Sequence, residues 1–350
     1  MNSPIHKGSG RLELMLTVLV IGAIVGGFVS MTVTGPEGLA NPHPVGTYVY
    51  DGVPRALPPM AGIENMPAVF QAVGVLLALA LWAWFGVKSW REGRMHPVIL
   101  VMASITVMAV LMEPLINWGM YLSFDPRSPH LPIATPWMRI APNIEPLSCF
   151  YGYPFYFLIP AMIANGVYAS LVRRVAPDHY ITRHPLWSLA VLGWVIGMVF
   201  DFAVELPLLR SSLYIYSQVW PAISIDVGKT WQFPALLAVP TIAVTMGWCA
   251  VLLHRDAAGL TLTERMALRL PGLRRMPTFG SFLLASVLAC FAYSVYTGAF
   301  FAVRTLGLAT AIAQPWPFED QRIYDPDGLY RAAGVDGPFY DDIAEEKRRN

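Results

Sequence analysis

The sequence predicts an all-α protein, a polytopic membrane bundle of about seven transmembrane helices with long loops on its outer side. Hydrophobic residues make up 55% of the 350-residue chain and charged residues 13%, whereas soluble proteins average about 25% charged residues. The apolar residues also fall in continuous runs that reach the roughly 20 residues needed to cross a bilayer. Because these runs do not alternate in polarity, helices are favoured over a β-barrel.

Seven apolar runs qualify as membrane spans. The first run follows Lys7 and Arg11 and is longer than the roughly 7–15-residue apolar core of a signal peptide, so we interpret it as a retained helix. The predicted spans are Leu12–Val33, Pro67–Val87, Pro97–Leu122, Pro154–Val172, Leu186–Leu209, Phe233–Leu253 and Ser281–Val303.

The basic residues between the spans predict the orientation. Thirteen Lys and Arg residues lie in the N-terminal segment and in every second connection, against five in the other connections. Because cytoplasmic loops carry the excess of Lys and Arg, the N-terminus is predicted to be cytoplasmic and the C-terminus to lie outside.

The outer connections are long and rich in proline and aromatic residues. They cover residues 34–66, 123–153 and 210–232. Long loops in compact domains are often functional, so we expect these to fold over the outer end as a cap. The chain divides into a transmembrane domain, 1–313, and an extracytoplasmic tail, 314–350, that is turn-rich and then charged.

Acidic residues lie inside the predicted helices, where an ionisable group is costly and is often functional. Glu113 and Asp201 share a depth of roughly 12–14 Å below the outer ends of two helices, at about 1.5 Å per residue. One helical turn further on, Asn117 and Glu205 lie on the same helix faces. The outer loop adds Glu145 just before the fourth span.

This acid and amide cluster indicates acid–base chemistry on an apolar substrate. Desolvation and a neighbouring carboxylate both favour the neutral form of a carboxyl group, which can then act as a general acid beside an ionised base. We predict Glu113 and Asp201 as the catalytic pair. The residues predicted to bind or orient the substrate are Asn117, Asn143, Glu145, Glu205, Asn165, Trp118, Tyr153 and His130.

Structural roles stay open for the same residues. Membrane asparagines such as Asn117 and Asn165 often join helices by hydrogen bonds. Glu145 and Glu205 lie near the interface, where a solvated carboxylate is ordinary. His130 is compatible with an ordinary loop histidine, and the aromatic residues are also typical of an interfacial belt.

Several other chemistries find no support in the sequence. Three scattered cysteines give neither a disulfide framework nor a thiolate metal site. The four lysines lie outside the predicted helices, which excludes a retinal Schiff base, and the histidines lack di-iron spacing. There is no nucleotide-binding glycine motif, and a net charge of +1 does not suit nucleic acid. We therefore predict no metal, no cofactor and no nucleic-acid partner.

Three segments resemble the AveC-like spirocyclases, a family of actinobacterial multi-pass membrane proteins. They are Met112–Trp118, Asn143–Pro154 and Asp201–Pro207, and the resemblance covers about Leu12 to Ala313. It implies spiroketal formation, with associated dehydratase activity, on a large apolar polyketide ketone.

Taken together, the residues and the resemblance predict an enzyme of lipophilic metabolism in the plasma membrane. Its partners would be a lipophilic small molecule and the bilayer, and the sequence does not define its oligomeric state. One alternative is a carrier for a lipid or a proton-coupled solute that uses the same acids as a relay. The other is an accessory subunit without turnover that docks a partner protein through its outer loops and tail.

Overall fold

Candidate membrane-spanning helices form the framework of the part of the chain that the structure describes. The computed structural model describes residues 13, 15–23, 63, 66–125, 128, 130, 131, 137, 140–318, 323–337, 339 and 340. Six helices in this part of the chain are long and apolar enough to cross a membrane. In chain order the helices are α1 Met66–Glu92, α2 Pro97–Gly119, α3 Leu147–Val172, α4 Tyr180–Arg183, α5 Pro185–Arg210, α6 Ala235–Leu253, α7 Leu262–Arg269, α8 Pro277–Thr305 and α9 Leu329–Ala332. The spans are α1, α2, α3, α5, α6 and α8.

The second to seventh predicted spans correspond to these six helices. The fourth span was predicted too short, because α3 begins at Leu147 and keeps Pro154 and Pro160 in its interior. Interior prolines are tolerated in a membrane helix where its neighbours satisfy the freed backbone groups.

The first predicted span lies largely outside the described residues. Residues 15–23 of it are helical. Just before them, the Glu13 carboxylate accepts hydrogen bonds from the backbone amides of Thr278 (2.5 Å) and Phe279 (3.1 Å) in the first turn of α8. An acidic side chain is stabilising there because the first amides of a helix have no intrahelical partner. This contact joins the N-terminal segment to the bundle.

Burial differs strongly among the six spans. Helices α2 and α6 are the most buried, and α1 is the least buried. Helix α6 packs against α3, α5 and α8, while α1 packs mainly against α3. An exposed apolar helix at the edge of a bundle is expected to face lipid.

Helices α5 and α6 approach each other closely at small residues. A Cβ atom on Gly193 would lie 2.8 Å from the Cα atom of Gly247. Gly197, one turn further along α5, faces Met246 and Ala243 at a similarly close approach. Small residues at such spacing let two membrane helices pack backbone to backbone, which fixes the rotation of α5 about its axis.

Short strands join the loops at one end of the bundle, which we call the loop end. There α1, α3 and α6 begin, while α2, α5 and α8 end. An antiparallel pair links the connection after α2 to the connection after α5, and a second pair links the latter to the segment after α8. The pairs are β1 Leu122–Phe124 with β2 Tyr214–Tyr216, β3 Gln218–Val219 with β4 Ala311–Ile312, and the parallel β5 Ile323–Tyr324 with β6 Phe339–Tyr340.

The described part of the tail packs on the loop end. Tyr330 is fully buried, and its hydroxyl donates a hydrogen bond to the carbonyl of Ala313 (2.9 Å). The Asp327 carboxylate accepts hydrogen bonds from the Tyr121 hydroxyl (2.8 Å) and the Gln218 amide (3.0 Å). Residues 323–337 therefore belong to the folded body of the protein, while its sidedness in the membrane stays a prediction.

Candidate functional site

A cavity of about 380 Å³ lies inside the loop-end half of the bundle. Its walls come from α1, α2, α3, α5, α6 and α8, and the β1–β2 pair covers its loop-end side. The volume falls within the range of roughly 300–1,000 Å³ that is typical of small-molecule sites. Most of the described lining is apolar or aromatic, and its acidic residues are Glu113 on α2 and Glu205 on α5. An apolar cavity with a few convergent polar groups is a candidate site.

Glu113 is held on the cavity wall by two tyrosines. The Tyr153 hydroxyl of α3 donates a hydrogen bond to its Oε1 atom (2.6 Å), and the Tyr293 hydroxyl of α8 donates to its Oε2 atom (3.1 Å). The side chain is completely buried. Both carboxyl oxygens therefore have a donor and a fixed orientation.

Glu145 lies behind Glu113, just before α3. The Asn117 amide donates a hydrogen bond to its Oε1 atom (2.8 Å), while its Oε2 atom is buried with no donor among the described residues. Burial raises the pKa of Glu145 well above its usual range. The charge of Glu113 acts in the same direction, and the hydrogen bond from Asn117 opposes it. The neutral form of Glu145 is therefore favoured.

A second pair of acids lies on α5. Asp201 and Glu205 are one turn apart on a buried face, a spacing that makes their side chains neighbours on the helix surface. The Tyr156 hydroxyl donates to Asp201, and the Tyr216 hydroxyl donates to Glu205. The remaining oxygens, Asp201 Oδ2 and Glu205 Oε2, are buried without a donor in the described structure. A proton held between the two carboxyl groups would supply the missing donor.

Tyrosines from α3 and α8 lie between the Glu113–Glu145 group and the Asp201–Glu205 group. The ring centroids of Tyr153 and Tyr156 are 6.1 Å apart, and those of Tyr153 and Tyr293 are 6.4 Å apart. Tyr296 follows at 5.4 Å from Tyr293. Because each helix contributes residues at i and i+3, both side chains lie on one helix face. The four rings form a continuous tyrosine layer from one acid group to the other.

Six of the ten predicted site residues meet at the cavity. Four line it and two acids stand directly behind the lining. The lining residues are Glu113, Asn117, Tyr153 and Glu205, and the two acids behind them are Glu145 and Asp201.

Trp118 and Asn143 lie outside the described cavity lining. Trp118 packs under Arg304, whose guanidinium carbon is 3.9 Å from the centroid of the indole ring. Asn143 forms two hydrogen bonds with the backbone of Phe124, accepting from its amide (3.1 Å) and donating to its carbonyl (2.7 Å). Both residues hold the loop end in place.

Asn165 and His130 also lie outside that lining. The Asn165 amide donates hydrogen bonds to the carbonyls of Ala161 in its own helix and Ala250 in α6 (both 2.9 Å), which joins α3 to α6. His130 is buried, and its Nδ1 atom is 3.1 Å from the carbonyl oxygen of Leu131. Burial lowers the pKa of His130, so its neutral form is favoured.

Four tyrosines of the site were not predicted from the sequence. Tyr214 and Tyr216 enter through β2, and Tyr293 and Tyr296 enter through α8. Tyr293 and Tyr296 carried a usable signal, since two phenol groups three residues apart inside an apolar span need buried partners. The strand that carries Tyr214 and Tyr216 has only three residues and gave no comparable signal.

Comparison with known proteins identifies the family of the chain. The searches of curated proteins and of solved structures found no match. A family model described as "Spirocyclase AveC-like" matches residues 90–324, which include both acid groups and the greater part of the chain. The chain therefore belongs to the AveC-like spirocyclase family.

Proposed function

We propose that the protein is a membrane-embedded acid–base enzyme that converts a lipophilic, polyketide-like hydroxyketone into a spiroketal or a dehydrated product. Membership of the spirocyclase family suggests a cyclase or dehydratase role of this kind. The observation that carries the proposal is an apolar cavity with Glu113 on one wall and the Asp201–Glu205 group on another.

An unpartnered acceptor at the cavity suits a substrate with hydroxyl groups. Asn117 lines the cavity, and its amide oxygen is buried without a donor among the described residues. Leaving a buried acceptor unsatisfied costs about 1–3 kcal/mol. A bound molecule with a hydroxyl group would satisfy this oxygen, whereas a hydrocarbon would not.

The protein needs to supply only proton donors and acceptors for this reaction, because the substrate provides the groups that form and break C–O bonds. One hydroxyl of a dihydroxyketone adds to the carbonyl carbon and gives a hemiketal. The hemiketal hydroxyl accepts a proton and leaves as water, which forms an oxocarbenium ion. The second hydroxyl adds to this ion and releases its proton, giving a spiroketal and one water. Loss of a neighbouring C–H proton from the same ion gives the dehydrated product instead.

The two acid groups suit different steps. Glu113 accepts hydrogen bonds from two tyrosines, which suits a carboxylate that stabilises the cation and accepts the released proton. The Asp201–Glu205 group lacks donors for two oxygens, which suits a shared proton available to the leaving hydroxyl. Tyr156 and Tyr216 would orient that pair through their hydroxyl groups.

Product mass tests this proposal. Protein in lipid nanodiscs is incubated with a series of long-chain dihydroxyketones. The products are separated by chromatography, and their masses are measured by mass spectrometry. We expect a product lighter than the substrate by one water. A sealed-vesicle assay run in parallel distinguishes the alternatives, because a carrier moves unchanged substrate across the membrane. An accessory subunit gives neither a lighter product nor transport. Transport of unchanged substrate without a product, or the absence of both, would contradict the enzyme proposal.

A matched pair of variants connects the product to the site. Glu205→Gln removes a cavity acid, and Asp226→Asn removes an acid that pairs with Lys229 (2.7 Å) in the connection after β3, away from the described lining. We expect turnover to fall by about 100-fold or more in Glu205→Gln, the usual contribution of a general acid or base. Asp226→Asn is expected to retain the wild-type rate.

A further inference from the structure

One wall of the cavity includes residues that are exposed on the outside of the bundle. Helix α3 packs against both α1 and α5, and all three helices line the cavity. The lining residues Val73 and Leu77 of α1 are 47% and 42% exposed, and Ala203 of α5 is also exposed. Residues that line a cavity and are also exposed mark the rim of an opening. We call the gap between Val73 and Leu77 on one side and Ala203 on the other the lateral opening.

The two rims of the lateral opening lie at similar depth. Val73 and Leu77 are seven and eleven residues from Met66, where α1 begins, and Ala203 is seven residues from Arg210, where α5 ends. At about 1.5 Å per residue, both rims are roughly 10–16 Å from the loop end. The hydrocarbon core of a bilayer is about 30 Å thick, so the opening lies within it.

The loop end of the cavity is covered. Leu122 and Phe124 of β1 and Tyr214 and Tyr216 of β2 line the cavity there, and all four side chains are buried. The described strand pair thus separates the cavity from the loop end, while the α1–α5 side presents exposed apolar residues. An apolar rim does not bind water well and does not oppose the passage of hydrocarbon.

We infer that the substrate enters the cavity from the bilayer through the lateral opening, and that it is a long-chain molecule which stays partly in the lipid while it reacts. The inference rests on the proposed function for the reacting groups. A cavity of about 380 Å³ accommodates a segment of drug-like size. The ketone and hydroxyl groups lie in the cavity, and the remaining chain extends between α1 and α5.

The partitioning of such a molecule supports this route. Each methylene group moved from water into hydrocarbon favours the transfer about fourfold, so a long chain is concentrated in the bilayer. A lateral opening gives the cavity direct access to that concentrated pool. A substrate taken from water would first have to leave the bilayer.

Photolabelling with an inert probe tests the inference. The probe is a long-chain aliphatic ketone with a diazirine beside the carbonyl, which has no hydroxyl group and cannot cyclise. It is added to the full-length protein in phosphatidylcholine nanodiscs and activated by light, and label on the α3 peptide with Tyr153 and Tyr156 is quantified by mass spectrometry.

Two variants narrow the opening from opposite sides, and two matched variants leave it unchanged. Val73→Trp and Ala203→Trp place an indole at either rim. The controls are Leu76→Trp on α1 and Val199→Trp on α5, which add the same group at exposed positions outside the cavity lining. We expect label on α3 to fall by about tenfold or more in the rim variants, since an indole overfills the gap. The controls should match wild type.

The position of the remaining chain is tested with a second probe that carries the diazirine at the far end of the chain. We expect this probe to label the α1 peptide with Val73 and Leu77 and the α5 peptide with Ala203. Label of the second probe on the loop-end strands β1 and β2 instead, or wild-type α3 label in both folded rim variants, would overturn the inference. If one rim variant fails to fold, the variant on the other helix decides.

The outcome is separable from that of the proposed function. A protein that binds the probe through the opening but turns over no dihydroxyketone would retain the lateral opening and refute the proposed enzyme.

Discussion

Replacing Gly193 by alanine should destabilise the bundle by crowding α5 against α6. The added Cβ atom would lie 2.8 Å from the Cα atom of Gly247, 2.9 Å from the Cβ atom of Ala250 and 3.2 Å from the carbonyl oxygen of Met246. Carbon atoms pack best at about 3.5–4.0 Å, so at least two contacts are too short. Two of the three neighbouring atoms belong to backbone, which cannot move aside as a flexible side chain can.

The size of the effect follows from two opposing terms. Overpacking a close interface costs about 1–3 kcal/mol. Alanine also gains roughly 0.5–1 kcal/mol over glycine inside a helix. Gly298→Ala supplies the control, because a Cβ there meets no atom within 4 Å and keeps the propensity gain alone. The difference between the two variants isolates the steric cost, which we expect to be about 1–3 kcal/mol.

Reversible unfolding in mixed detergent micelles, followed by circular dichroism, measures this difference. Gly193→Ala should unfold at a lower denaturing-detergent fraction than wild type, and Gly298→Ala at an equal or higher fraction. Equal stability of the two variants would refute the close α5–α6 packing and, with it, the stated rotation of the Asp201–Glu205 group.

Three further predictions concern the loop end, Glu145 and the orientation. Tyr330→Phe should lower the free energy of unfolding by about 1 kcal/mol through the lost buried hydrogen bonds, whereas Tyr180→Phe, at an exposed position, should not. Because the folded-state pKa of Glu145 is raised, stability should fall as pH rises above its ordinary value of 4.5, by at most about 1.4 kcal/mol per pH unit. Thermal unfolding of Glu145→Gln over the same pH range should show a flatter slope. In intact cells a membrane-impermeant thiol reagent should label Val227→Cys and leave Asp178→Cys unlabelled until the cells are permeabilised.

Six of the seven predicted spans coincide with described helices, because a continuous apolar run is visible in the sequence itself. The acids inside these runs are visible in the same way, while their catalytic role stays a prediction. A carboxyl group inside an apolar run is costly, so Glu113 and Asp201 were identified without any structure. The residues that contact these two acids were harder to predict from the sequence. Asp201 and Glu205 lie on one helix face, but only Glu205 lines the described cavity. Which of the two lines it depends on the rotation of α5, which is set by the close packing of Gly193 against α6.

The roles of the other predicted site residues depend on contacts with residues that are distant in the sequence. Trp118 follows the acid motif in sequence, but its indole packs against Arg304, which is 186 residues away. Asn165 is polar and intramembrane, and its amide is used to join α3 to α6. No local pattern distinguishes such a structural asparagine from one that binds a substrate. The β1–β2 cover of the cavity likewise depends on pairing between distant loops.

The most direct test of the account follows the ketone oxygen of the substrate. A dihydroxyketone labelled with ¹⁸O at its carbonyl is incubated in nanodiscs with wild-type protein and with the Glu113→Gln, Asp201→Asn and Asp226→Asn variants. We expect wild type and Asp226→Asn to release the label as water and to form an unlabelled spiroketal. In Glu113→Gln the release of labelled water and the formation of the spiroketal should be slower by about 100-fold or more. Full turnover by folded Glu113→Gln and Asp201→Asn proteins would contradict acid–base catalysis at this cavity.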